Sequence, residues 1–178
     1  MESRKASATI GIAIVEEHPP LKGGFFLDLK ENIGVSGTWI FEWSDGTRRI
    51  EKNKITQSGL EALAALFLGE LPASNAIYLA LGTGETEAAS GDKKLETEGF
   101  RKALTSKTRD LNEVRLRFFL TTSEANGEWS EMGVFLAGTE GKDSGWNLNH
   151  ILPSGGIRKA SNQTLTVEVR IRFQGVSA

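Results

Sequence analysis

The sequence predicts a mainly β chain: an antiparallel β-sandwich, jelly-roll-like, with one amphipathic α-helix. Three observations carry this. From Ala76 onward apolar and polar residues mostly alternate with a period of two, as in strands with one face on a core and one in water. A single segment shows a helical stripe. Glycine is frequent, 20 of 178 residues, and spread along the chain, which suits a fold of many turns.

The elements follow in order. Residues 1–53 are expected to form an N-terminal arm and hairpin that binds a partner, and 54–178 the β-sandwich domain, with its helix at about 57–68. "PPLKGG", Pro19 to Gly24, reads as a loop. In "GTWIFEWSDGTRRIEKN" the residues Trp39, Phe41 and Trp43 share one face, and Asp45-Gly46 supplies a hairpin turn. That apolar face makes Trp39, Phe41 and Trp43 candidates for core or subunit-interface packing, ahead of a sugar-stacking platform.

In "KITQSGLEALAALFLGELP" the residues Leu60, Leu63, Ala64, Phe67 and Leu71 fall on one helical stripe, expected to pack on the core. Thr56 or Ser58 caps the start, and Ser58 with Glu61 fits a capping box. Gly69 and Pro72 mark the end. Beyond it, "NEVRLRFFLTT" sets Val114, Leu116, Phe118 and Leu120 against Arg115, Arg117 and Phe119. "TLTVEVRIRF" is cleaner, with Leu165, Val167, Val169, Ile171 and Phe173 inward and Thr166, Glu168, Arg170 and Arg172 outward. "SEANGEWSEMGVFLAG" carries an Asn-Gly turn at 126–127 before another strand. About six to eight strands are expected in all.

Composition narrows the chemistry. The net charge is −2, so no global field draws the chain onto nucleic acid or an anionic membrane. Cysteine is absent, which removes disulfides, thiolate zinc sites and cysteine nucleophiles. The leading "MESRKASATIGIAIVEE" places an apolar run of only about six residues after its charges, so no secretory leader is expected. No run approaches the roughly 20 apolar residues of a membrane span.

"IYLALGTGETEAASG", Ile77 to Gly91, is the segment closest to a phosphate loop. A Walker loop needs a lysine followed by Ser or Thr, which is missing. The dinucleotide fingerprint needs a glycine where Glu87 stands, and Glu85 and Glu87 repel phosphate. No striped helix opens behind the loop to receive an anion. Gly82 and Gly84 are therefore structural candidates, letting the chain turn as it leaves a buried strand. The two histidines, His18 and His150, lie far apart, and no HxH, HExxH or GxSxG spacing occurs. No catalytic residue, cofactor or metal ligand is assigned.

The ordered series of segments is more specific than any one of them. "NKITQSGLEALAALFLGE" leads at once to Ala-Leu-Gly-Thr-Gly; then come Leu95, Glu98 and Arg101 in "LETEGFR". "EANG" follows, then Glu131, Gly133 and Phe135, and a closing Lys…Thr-Leu-Thr-Val strand. From about 53 to 173 this resembles a widespread class of bacteriophage tail-associated structural proteins, found in tail fibres, baseplates and related virion attachments. The resemblance implies a non-enzymatic virion component, made in the host cytoplasm and assembling in multiple copies to join or display other virion proteins. By analogy alone it implies a homotrimer, with no nucleic-acid or membrane partner. Two alternatives stand beside it: a capsid decoration or head-fibre protein of the same virion class, and a carbohydrate-binding β-sandwich module that recognises a host-surface glycan.

Overall fold

The computed structural model describes residues 32–71 and 76–176. Along them run β1 (Asn32–Trp43), β2 (Arg48–Ile55), α1 (Gln57–Phe67), β3 (Ile77–Gly82), β4 (Glu98–Ala103) and β5 (Ser106–Asp110). There follow β6 (Glu113–Leu120), β7 (Gly127–Trp129), β8 (Glu131–Leu136), β9 (Trp146–Ile151), β10 (Ile157–Lys159) and β11 (Leu165–Val176). His18 and the leading arm, and Pro72, lie outside the described residues.

The alternating segments pair as their periodicity requires. β1 lies antiparallel between β2 and β11, in register from Asn32↔Val176 to Trp43↔Leu165. Nine strands form one antiparallel sheet in the order β4-β3-β8-β9-β2-β1-β11-β6-β5. β2 is the corner: it pairs with β1 up to Asn53, then with β9 through Lys54 and Ile55. The sheet thereby curls on itself, and one apolar cluster fills the space between its halves. Trp39, Phe41, Phe118, Val167 and Val169 come from one half, Leu79, Leu81, Met132 and Val134 from the other. β7 and β10 form a separate two-stranded ribbon. The expected mainly β, sandwich-like class is the observed one, with a single helix among the described residues.

On the solvent face of β6 and β11 the arginines are shared among acids. Arg117 and Arg170 both reach Glu168, at 2.9 and 2.7 Å, while Arg115 and Arg172 reach Glu113 at 2.8 and 3.0 Å. Glu113 and Glu168 are themselves buried while their arginine partners are part-exposed, so each acid depends on its arginines for compensation. The pairs keep the alternation in register by holding the charged face outward.

Three expectations change. There are eleven strands among the described residues, because β4 and β5 ("EGFRKA", "SKTRD") lack apolar alternation and β7 and β10 are only three residues each. The boundary expected at residue 53 falls inside β2. The hairpin is central to the sheet, because Trp39 and Phe41 belong to the shared core and cannot leave it. The third change is the face of the helix that packs. Thr56 caps α1, accepting from Gly59 N at 3.0 Å while its hydroxyl donates to Asn147 O. The buried face is then Ser58, Gly59, Ala62 and Ala65. Leu60 and Leu63 are half-buried, Ala64 is exposed, and Phe67 is 89% exposed.

Distance explains the reversal. A Cβ at Gly59 would fall 2.7 Å from Leu148 Cα, so the helix lies on β9 closely enough to admit only small residues. Hydrophobic periodicity weighs oil-likeness and ignores size. Replacing Gly59 by Val is expected to cost about 1–3 kcal/mol through forced separation of α1 from β9. Chemical denaturation checks this, and an unchanged midpoint removes the close-contact account.

Candidate functional site

β3 ends at Gly82, and the loop that follows is closed by one carboxylate. Glu131, the first residue of β8, is buried, and its Oε1 accepts from Gly84 N at 3.0 Å and from Thr97 N at 2.7 Å. Its Oε2 accepts from Glu96 N at 2.9 Å. A Cβ at Gly84 would meet Glu131 Oε1 at 2.6 Å, and one at Gly82 would meet Thr97 O at 2.6 Å. Both glycines are therefore set by close approach. The loop amides do bind an anion, and the anion is a side chain of the same chain. Glu96 repeats the device, accepting from Glu85 N at 3.0 Å and Thr86 N at 2.9 Å. Those amides, that of Thr86 first, hold its carboxyl below the usual range.

A second layer backs Glu131. His150 in β9 is buried, with Nδ1 2.6 Å from Asp92 Oδ2 and Nε2 3.4 Å from Glu131 Oε2. Asp92 is itself fixed, since Oδ2 accepts from Ala89 N at 2.7 Å and its carbonyl accepts from Asn147 Nδ2 at 3.1 Å. A carboxylate–imidazole–carboxylate row has the members of a proton relay. Among the described residues His150 Nε2 has no hydrogen-bond partner. Glu131, on the other side, is engaged by three amides. What the row does in this geometry is tie β8, β9 and the 82–97 loop together.

The motif residues behind the loop have similar employment. Arg101 forks onto Glu98 at 2.6 and 2.7 Å, and both side chains are buried. The guanidinium lies 4.6 Å from the Phe135 ring centroid and donates to Ser144 O at 2.8 Å. Glu98 Oε2 also accepts from Asp143 N at 3.1 Å, so the pair anchors the 139–144 loop. Leu95 is buried against Ala80 and Phe135. In the "EANG" turn, Asn126 Oδ1 accepts from the buried Lys159 Nζ at 2.7 Å. Burial pushes the Lys159 ammonium below its ordinary range. Beside it Glu124 accepts from Lys102 Nζ at 2.6 Å and from Thr121 N at 2.9 Å.

The Lys102 hydrogen bond, then that of Thr121, lowers the Glu124 carboxyl from 4.5 to about 2. A folded-state value below the unfolded one stabilises at pH above about 4.5, and that stability is lost as pH falls toward 2. The Glu124→Gln variant is expected to lose less stability than the parent across that window. Urea midpoints at pH 5 and pH 2.5 measure it, and parallel losses in both proteins refute the assignment.

Trp39 and Phe41 are fully buried and stack at 6.0 Å within the core of the chain. Trp43 is half-buried and lines a surface cavity of about 350 Å³ with Asp45, Thr47, Arg49, Arg158 and Gln163. Trp43 Nε1 donates to Arg158 O at 3.0 Å, and Asp45 accepts from Gln163 Nε2 at 2.9 Å. The structure thus brings Gly82 and Gly84 together around Glu131. Trp39 and Phe41 sit in the core, and Trp43 sits at the hairpin tip.

Sequence reasoning missed the Asp92–His150–Glu131 row. Its one local signal is an acid opening the otherwise apolar strand "EMGVFL". Among the described residues no group of three or more His, Cys, Asp or Glu is placed to hold a metal ion, and no helix is long and apolar enough to cross a membrane. Comparison with protein-family models, with curated proteins and with solved structures found no match in any of the three.

Proposed function

We propose that the protein is a non-enzymatic structural component of a bacteriophage virion, tail-fibre or baseplate associated, assembling in multiple copies to join or display other virion parts. One observation carries the reading. The residues that give the sequence its tail-protein resemblance are employed on the chain's own backbone and core. Gly82 and Gly84 admit the Glu131 carboxylate, Glu98 and Arg101 pair beneath a loop, and Phe135 lies under Arg101. That is the pattern of a module whose recognisable residues preserve shape rather than perform a reaction.

The test is particle labelling. An epitope-tagged full-length chain, imaged on purified particles with gold-labelled antibody, is expected to mark the tail tip or fibres. A label on the capsid overturns the tail position in favour of a decoration or head-fibre role. A label absent from particles overturns the virion role altogether.

A second reading draws on the cavity at the hairpin tip. An indole edge flanked by a carboxylate, an amide, a hydroxyl and a guanidinium has the make-up of a saccharide subsite. Under this reading the chain is a carbohydrate-binding module for a host-surface glycan. Asp45, whose carboxyl the Thr47 amide holds below the usual range, would accept from sugar hydroxyls. Trp43→Ala is expected to abolish glycan-array binding by the parent protein, and a parent that binds no glycan ends this reading.

A further inference from the structure

α1 presents its small residues to β9, packs Leu63 against the core, and leaves the large residues at its C-terminal end in solvent. Phe67 is 89% exposed, Leu68 74% and Leu66 44%, and Leu60 is half-buried. No charged residue interrupts Leu66 to Leu68, and the last helical turn carries no base. Scattered exposed apolar residues are ordinary, but three consecutive large apolar residues exposed at the end of α1 mark a candidate covered surface.

The chain holds a segment suited to cover it. Residues 10–15, "IGIAIV", lie outside the described residues and carry no charge, and no charged residue stands between Lys5 and Glu16. The described chain starts at Asn32, and the register places that start toward the sheet end where α1 begins. Gly37 pairs with Asn53, β2 ends at Ile55, and α1 begins at Gln57. The chain therefore enters β1 at the sheet end from which α1 rises. Residues 16–31 span up to about 50 Å when extended, and an 11-residue helix is only about 16 Å long. A connection of that length exceeds the helix several-fold and does not confine the segment to its own molecule. A net charge of −2 offers little repulsion between copies.

We propose that the exposed face of α1, centred on Phe67 and Leu68, is the docking site for residues 10–15 of a neighbouring copy of this chain. The inference rests on the multi-copy reading above. Each copy gives one apolar segment and receives another, so contacts propagate around a ring or close a pair. If the segment is extended, Ile10, Ile12 and Ile14 would fall on one side of it, giving an apolar face to set against Phe67 and Leu68.

The absence of cysteine makes the test clean. Ile12→Cys and Phe67→Cys are made singly in the full-length chain, mixed in equal amounts and oxidised. The expected product is a disulfide-linked dimer of the two variants, several-fold above a mixture of Ile12→Cys with the exposed control Ser154→Cys. Dimers of Phe67→Cys alone, in place of the mixed product, overturn the proposal by pairing helix with helix. A cross-link formed within single chains of the double variant, without the mixed dimer, overturns it in favour of a clasp inside one molecule. No cross-link above the control also overturns it. In a second measurement, Phe67→Asp is expected to reduce the assembled mass in light scattering while moving the melting temperature by only about 1–2 °C. None of these outcomes bears on particle labelling, so the failure of the docking inference and the failure of the virion reading remain distinguishable.

Discussion

Replacing Glu131 by Ala is expected to destabilise the protein by about 3–5 kcal/mol, more than any surface change considered above. The carboxylate is buried and accepts from three backbone amides, those of Gly84, Glu96 and Thr97. None of the three gains a replacement when the side chain is cut back, and a buried donor without a partner costs about 1–3 kcal/mol. His150 Nε2 also loses a nearby carboxylate oxygen, at 3.4 Å. For a domain of this size a loss of that order lowers the melting temperature by about 6–20 °C. Glu131→Gln refines the test. Its remaining oxygen serves the Gly84 and Thr97 amides, but its amide nitrogen points a donor at Glu96 N–H. The Gln variant is therefore expected between parent and Ala. Calorimetry ranks the three. An Ala variant within about 1 kcal/mol of the parent overturns the view that Glu131 closes the loop.

That prediction shows what sequence reading reaches here. Strand periodicity placed the core faces of β6 and β11 correctly, because burial on one side of a pleat is written in alternate residues. The Asp45-Gly46 turn and the Thr56 cap were legible for the same reason: each is a local device with a local residue requirement. The Gly82–Gly84 turn was legible as a turn, with the reason for its glycines hidden. They are small because Glu131 lies against them, and Glu131 is 47 residues from Gly84 along the chain. Partnerships between distant strands leave no period. The same holds for His150 and Asp92, 58 residues apart. The helix misled in a different way. Its apolar stripe is real, but the face that packs was chosen by proximity to Leu148, and size decided what hydrophobicity did not.

Arg101→Ala is expected to cost about 3–5 kcal/mol, and its partner explains most of the loss. Glu98 has a side chain only 1% exposed, and Arg101 supplies both of its close charged hydrogen bonds. Removing the guanidinium leaves a buried carboxylate with a single remaining donor among the described residues, Asp143 N at 3.1 Å. It also empties the slot above Phe135 and releases Ser144, so the 139–144 loop loses its anchor. A lysine in its place keeps the charge but cannot fork or lie flat on the ring, and Arg101→Lys is expected to recover less than half of the loss. The decisive measurement is the double substitution. If the single-variant cost is the penalty of an orphaned charge, Arg101→Leu with Glu98→Leu must be more stable than Arg101→Leu alone, with a coupling of about 1–3 kcal/mol. Additive losses in the cycle would mean that each residue acts through its own packing, and the pair would then be no more than two neighbours. A positive coupling assigns the Glu98–Arg101 spacing a single physical cause, a buried ion pair whose members must be kept or lost together.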